Sequence, residues 1–289
     1  AADSELILCN VSVAPLSFHD VVTAASAAGF DGISILGRSL RRARTREGLS
    51  DSDIRAMLAD NGLVLTEIEA VGDWLTPPTV DQPAFLDQVL TEAEYLQAGG
   101  SLGAKTLVAT HFGDAVELDE AAEKFAGLCD RAADHGLDVA LEAVAWATIS
   151  DIGTAWEIAH RADRRNAGIL VDAWHHNRGP GAGDADLLRG IPADRVFAVQ
   201  LSDAAVTPVG PPLEDVQHRL LPGAGGFDLA GLLGILDDAR VRAPIGVEVL
   251  NTEILAQGPA VAGRILMDAL RATLDRARQA PAKPTPSRL

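Results

Sequence analysis

Lysine is nearly missing from this chain: Lys105, Lys124 and Lys283 are the only three. Cysteine is as scarce, with Cys9 and Cys129, and Tyr95 is the single tyrosine. Two cysteines exclude a disulfide framework, and both sit in apolar runs that read as buried free thiols. No apolar run approaches the ~18 residues that a membrane-spanning helix needs, so no membrane partner is expected. Basic side chains are outnumbered, Lys plus Arg 24 against Asp plus Glu 41, for a formal net charge of -17. Such a surface repels phosphate backbones, so no nucleic-acid partner is expected. The N-terminus AADSELILCN lacks a basic stretch followed by a long apolar one, so no leader is read and the cytoplasm is the expected location. What remains is a chain of 289 residues, 47% hydrophobic and 22% charged, which has the make-up of a globular protein with a large core.

Short β-type runs alternate with amphipathic helical runs almost from end to end. Strands are predicted at 6–11, 32–36, 63–69, 106–111, 138–144, 168–172, 196–201 and 245–250. Helices are predicted at 17–29, 51–61, 83–98, 119–135, 151–165, 184–189, 228–239 and 259–278. Ser17 is a candidate N-cap, and Gly29, Gly62, Gly99-Gly100 and Gly136 are candidate stops. Several strands, among them TLVAT and VFAVQL, are continuous apolar runs, as suits parallel strands buried on both faces. Eight strand–helix units at the ~30-residue repeat of a βαβ element predict a single α/β domain, a (β/α)8 TIM barrel over 1–279. An open doubly wound sheet is the alternative. It would show a glycine-rich phosphate turn after the first strand, and Ser12-Val13-Ala14-Pro15 stands there instead. The Pro-rich stretch 280–289 is expected to be a disordered tail.

A barrel carries its chemistry at the C-terminal ends of its strands. In order, those ends hold Glu67 and Glu69, His111, Glu142, Asp172, Gln200 and Glu248. Glu142, Asp172, Gln200 and Glu248 interrupt otherwise apolar runs on four successive strands. A carboxylate in such a place costs several kcal/mol unless it is paired or bound to a cation. Three of them with one amide, on one face, predict one divalent metal ion. The all-oxygen donors favour Mn²⁺ or Mg²⁺, with Co²⁺ and Zn²⁺ behind them. The plain alternative is a network paired by arginine. His175 leaves the sixth strand three residues after Asp172, placed to bind substrate oxygens or orient a metal-bound water. His111 ends the fourth strand and is a candidate pocket residue beside Glu69. Trp74, Trp146 and Trp174 follow strands three, five and six and are candidates for an aromatic wall. Arg178 and Arg219 are candidates for holding a substrate hydroxyl, carboxylate or phosphate, and the loop 179–183 for a lid. Asp228, the expected N-cap of its helix, would compete with a phosphate at the loop before it, which favours an unphosphorylated small-molecule substrate.

The set Glu142, Asp172-x-x-His175, Gln200-Leu201-Ser202-Asp203 and Glu248, with Arg219 before Pro222-Gly223-Ala224-Gly225, resembles the xylose-isomerase-like barrel superfamily of sugar phosphate isomerases and epimerases. The resemblance covers essentially the whole barrel. It implies that Glu142 and Glu248 both bind the metal, one removing a proton and the other returning it, through an enediolate on a sugar, keto-sugar or cyclic polyol ketone. It also implies a homodimer paired through the helices. Two positions depart from the pattern. Gln200 stands where many ketose epimerases have His, as in members resembling 3-dehydroshikimate dehydratase, and Ala224 replaces a Glu. With a leaving group β to the carbanion, the same site becomes a metal-dependent lyase or dehydratase with His175 or His111 as the acid, so that outcome stays open. A non-enzymatic small-molecule-binding barrel is the third reading. The zinc-dependent abasic-site endonucleases of the superfamily need more histidines than this chain offers. None of the three lysines falls at a strand C-terminus, which disfavours Schiff-base and pyridoxal-phosphate chemistry.

Overall fold

The computed structural model describes residues 4–77, 90–180 and 184–279. Eight parallel strands close on themselves in sequence order: β1 (Leu6–Leu8), β2 (Gly32–Leu36), β3 (Val64–Val71), β4 (Thr106–Ala109), β5 (Asp138–Glu142), β6 (Ala167–Asp172), β7 (Val196–Leu201) and β8 (Ile245–Val247), with β8 pairing back to β1. The predicted (β/α)8 barrel is the observed fold. The helices around it are α1 (Phe18–Ala28), α2 (Gly37–Thr45), α3 (Asp51–Asp60), α4 (Glu92–Leu102), α5 (Leu118–Ala133), α6 (Ile152–Ala162), α7 (Ala173–Arg178), α8 (Ala185–Gly190), α9 (Pro212–Asp215), α10 (Leu229–Asp238), α11 (Thr252–Leu255) and α12 (Pro259–Gln279). The main core lies between sheet and helices, where outward strand residues such as Ile33, Leu107, Leu141 and Ile169 meet helix residues such as Phe125, Ile158 and Leu270.

Local chemistry explains most boundaries. The Ser17 hydroxyl accepts the Asp20 N–H at the start of α1, and Gly29 ends it in the left-handed region at φ 76°. Ser50 and Thr91 form reciprocal capping boxes with Asp53 and Glu94 at the starts of α3 and α4. Asp151, Asp184 and Asp228 cap α6, α8 and α10 by each accepting one backbone N–H, without a reciprocal bond.

Several local expectations differ from the structure; the strands predicted at 106–111, 138–144 and 245–250 end at Ala109, Glu142 and Val247, and α7, α9 and α11 were not predicted. The strand predicted at 6–11 stops at Leu8, and Asn10–Val13 turns into a short 3-10 helix. Helix α2 begins directly at the end of β2, in a polar, arginine-rich stretch whose buried apolar side chains are only Leu40 and Ala43. Gly99-Gly100 does not stop α4, which runs on to Leu102 and ends at Gly103, φ 75°. Gly99 is needed inside the helix because a Cβ there would stand 2.8 Å from Leu137 Cδ1. Helix α6 ends at Ala162 rather than at residue 165, with Asp163 in the left-handed region at φ 48°. The start of the helix predicted at 83–98, most of the loop 179–183 and the tail 280–289 lie outside the described residues. No helix of the described residues is long and apolar enough to cross a membrane.

Strand register places the site. Asp172 pairs with Gln200, Gln200 with Gly246, and Glu142 with Leu170. Side chains alternate along a strand, so Glu142, Asp172, Gln200 and Glu248 each lie two residues beyond Ala140, Leu170, Ala198 and Gly246 and share their face. Ala140, Leu170 and Ala198 form a small apolar layer with Val108 inside the barrel. The four polar groups therefore stand in the lumen, on top of that layer.

Candidate active site

A pocket opens at the C-terminal end of the barrel. Glu69, Thr110, Glu142, Trp146, His175, Arg219 and Glu248 line it, with Val11, Leu36 and Val216 as its apolar wall. Asp172 and Gln200, 2% and 1% exposed, lie buried beside these groups. Arg219 reaches in from the long loop after β7. Its Nη1 donates to Asp172 Oδ2 at 2.8 Å and stands 3.1 Å from Glu248 Oε1. The guanidinium also lies over the Trp174 ring, 5.2 Å from its centroid. The pairing by arginine that the sequence left as an alternative is thus present within the same donor set.

Burial dominates the electrostatics. It pushes the Glu142 carboxyl well above the usual range, and the charges of Glu248, Asp172 and Glu69 add to it. Burial likewise raises Glu248 to about 8 against the opposing pull of Arg219. Burial raises Glu69 to about 7, with Glu67 adding. Asp172 goes the other way: burial would raise it, but Arg219 and His175, with its backbone N–H, together outweigh that and hold it below the usual carboxylate range. Burial, reinforced by Arg219 and opposed by Asp172, lowers His175 to about 3. Both ring nitrogens of His175 face donors. The Ala145 N–H donates to Nδ1 at 3.2 Å, and Arg219 Nη2 stands 3.3 Å from Nε2. Since Nδ1 accepts a backbone N–H, the neutral ring carries its one proton on Nε2.

The donor chemistry fits a hard divalent cation. Three buried carboxylates share the lumen with an amide whose carbonyl, Gln200 Oε1, is buried and has no hydrogen-bond partner. Among the described residues, no three His, Cys, Asp or Glu side chains stand as they would around a bound ion. Arg219 Nη1 instead lies against two of the carboxylates, Asp172 and Glu248.

The other sequence candidates divide. Trp146 lines the pocket and packs on Phe112, Trp174 and His175. Trp174 is fully buried behind Arg219. Trp74 turns outward against Phe125 and donates its Nε1–H to Thr110 O at 2.7 Å. His111 is buried beside the pocket, its Nε2 3.0 Å from Asp114 O, and Thr110 takes the lining position instead. Arg178 is held away by Asp215 at 2.7 Å and by Ala205 O. Lys105 pairs with Glu5 at the opposite end of the barrel, and neither it nor Lys124 lines the pocket. The sequence reading had no role for Val11, Leu36, Val216 or Thr110, which carry no chemical signature. It quoted Asp203 only as part of a motif. Asp203 accepts the N–H groups of Ala204, Gly223 and Phe227, and so folds the loop that follows Arg219.

The chain is 32% identical over 235 residues to 3-dehydroshikimate dehydratase of Pseudomonas aeruginosa, covering 79% of this chain and 35% of that one. The chain thus spans about a third of that relative's length. Inosose isomerase of Halalkalibacterium halodurans is 30% identical over 129 residues, 44% of each chain. The crystal structure of the IolI protein with a zinc atom superposes with a TM-score of 0.81 at 18% identity, covering 94% of this chain and 99% of that one, a likeness of fold. The model of the xylose isomerase-like TIM barrel family matches residues 22–273, and the chain belongs to that family.

Proposed function

We propose that this barrel is a divalent-metal-dependent dehydratase of a cyclic hydroxylated keto acid of the 3-dehydroshikimate class. The observation that carries the reading is the lumen set itself: three buried carboxylates and the unpartnered carbonyl of Gln200, with His175 lining the pocket. The dehydratase relative, similar over four-fifths of this chain, supports dehydration as the outcome. Gln200, in place of the His of many ketose epimerases, points the same way.

Glu142, Asp172, Gln200 and Glu248 would hold the ion, which when bound supplies Lewis-acid polarisation of the substrate carbonyl. Nδ1 of His175 accepts the Ala145 N–H, so the neutral ring carries its proton on Nε2, 3.8 Å from Glu142 Oε1. Glu142 takes the proton from the carbon next to the ketone. The C–H electrons form the enolate double bond, and the β C–O bond then breaks. The departing hydroxyl takes the Nε2 proton of His175 and leaves as water, while the Glu142 carboxyl returns its proton to the ring. Glu142 is thus the base and His175 the acid. For a dehydroshikimate, loss of water leaves a dihydroxybenzoate, whose aromaticity drives the step. Trp146 offers the flat apolar contact such a ring needs.

The isomerase or epimerase reading rests on the inosose isomerase similarity. It shares the first proton transfer, and Glu142 and Glu248 would then exchange protons on the two sides of the substrate. Incubation in D₂O with 3-dehydroshikimate or an inosose, with Mn²⁺ or with EDTA, separates the two. Metal-dependent appearance of the dihydroxybenzoate absorbance is expected. Deuterium wash-in to an inosose without loss of water, and no turnover of dehydroshikimate, would overturn dehydration. A His175→Asn protein is expected to remain folded and to lose at least ~100-fold in kcat, the scale of acid–base catalysis.

A further inference from the structure

Glu69 lines the pocket, yet both of its oxygens are already engaged. The Asn10 backbone N–H donates to Ser34 Oγ at 2.8 Å. A backbone amide can only donate, so the Ser34 hydroxyl must send its own hydrogen elsewhere, and it goes to Glu69 Oε1 at 2.5 Å. The Asn10 side chain fixes the start of this chain by accepting the Leu36 N–H at 3.1 Å. The other oxygen, Glu69 Oε2, faces Gln200 Nε2 at 3.4 Å. An ionised Glu69 accepts only, so Gln200 presents its NH₂ to it, as observed, and turns its carbonyl the opposite way. That carbonyl is the buried oxygen with no partner.

We infer that Glu69 is a positioning residue that sets which end of the Gln200 amide faces the metal-binding carboxylates. The direction of every donor, from the turn after β1 through β2 and β3 to β7, leads to one orientation of one amide. An amide turned over would put an NH₂ among cations and carboxylates, where it cannot ligate. Outer partners of a metal ligand are worth about 10–100-fold in metal affinity. The inference rests on the reading of Gln200 as a ligand.

The test is Mn²⁺ binding to the full chain by equilibrium dialysis, in a double-mutant cycle. Glu69→Gln keeps the shape but supplies an NH₂ that favours the turned-over amide, and an affinity loss of about 10–100-fold is expected. Gln200→Glu has an oxygen at both ends, so orientation ceases to matter. In that background Glu69→Gln is expected to change Mn²⁺ affinity less than about threefold, against the 10–100-fold loss with Gln200 in place. Glu67→Gln removes the same charge from the lumen without touching Gln200 and is expected to leave affinity near wild type. Equal losses of affinity from Glu69→Gln in both backgrounds would assign Glu69 to charge or packing and overturn the inference. Equal Mn²⁺ binding by wild type and Glu69→Gln would overturn it and leave the metal site standing. A wild-type chain that takes up neither Mn²⁺ nor Mg²⁺, Co²⁺ or Zn²⁺ removes the ligand set and this inference together. Should Glu69→Gln fail to fold, Ser34→Ala, which releases the other oxygen of Glu69, carries the same cycle.

Discussion

Arg219 is the strongest single handle on this site. Its side chain is 1% exposed, and it neutralises Asp172, whose side chain is wholly buried, and Glu248 at once. Arg219→Met keeps the length and the contact with Trp174 but removes the charge. Breaking a buried ion pair from one side costs about 3–5 kcal/mol, because the remaining charge is left unpaired. Unfolding entropy of about 2.1 cal/mol/K per residue comes to about 0.6 kcal/mol/K for this chain, so the midpoint should fall by about 5–8 °C. The measurement is thermal unfolding in EDTA, with urea unfolding as a second probe. Repeating it with excess Mn²⁺ should recover about 2.7 kcal/mol at a hundredfold excess over Kd, since a bound cation takes over the countercharge. A variant within about 1 kcal/mol of wild type in EDTA would refute the view that Arg219 holds the metal-free site together.

Glu67 gives a pH test. Burial raises it to about 7 from an ordinary value of 4.5, against the hydrogen bond from Thr66. The folded chain therefore binds more protons than the unfolded one between those values. Its contribution is fully present below pH 4.5 and is lost as pH rises through 7. The 2.5-unit gap corresponds to about 3 kcal/mol, so Glu67→Gln should gain on wild type by up to that amount between pH 5 and pH 8 in urea unfolding. A constant difference across that range would contradict the assignment. Gly168→Ala on β6 places a Cβ 2.5 Å from Arg195 O and from Phe197 Cε2, so a loss of about 1–3 kcal/mol in urea unfolding is expected, with no change in metal affinity.

The alternation of strands and helices was legible along the chain because it depends on local periodicity and capping. So was the strand-end set Glu142, Asp172, Gln200 and Glu248, because a polar residue in an apolar strand marks itself and register follows from parallel pairing. Helix α2 was not legible, since its arginine-rich sequence has no apolar stripe long enough to read. The passage of α4 over Gly99-Gly100 was hidden for another reason: those glycines serve packing against Leu137 and His135, which only the neighbouring unit supplies.

The sequence by itself determined that eight parallel strands would close and that carboxylates, one amide and one histidine would gather at one end. It also determined that no lysine would join them among the described residues, because Lys105 precedes β4 and Lys124 lies in α5, neither at a strand C-terminus. Only the tertiary structure decided how those groups are paired. It brought Arg219 from a distant loop between Asp172 and Glu248, and it took Trp74 and Arg178 away from the pocket. It also linked Ser34, Glu69 and Gln200 across β2, β3 and β7. Those outcomes rest on loop paths and side-chain directions, and these are fixed by packing among residues far apart in the chain.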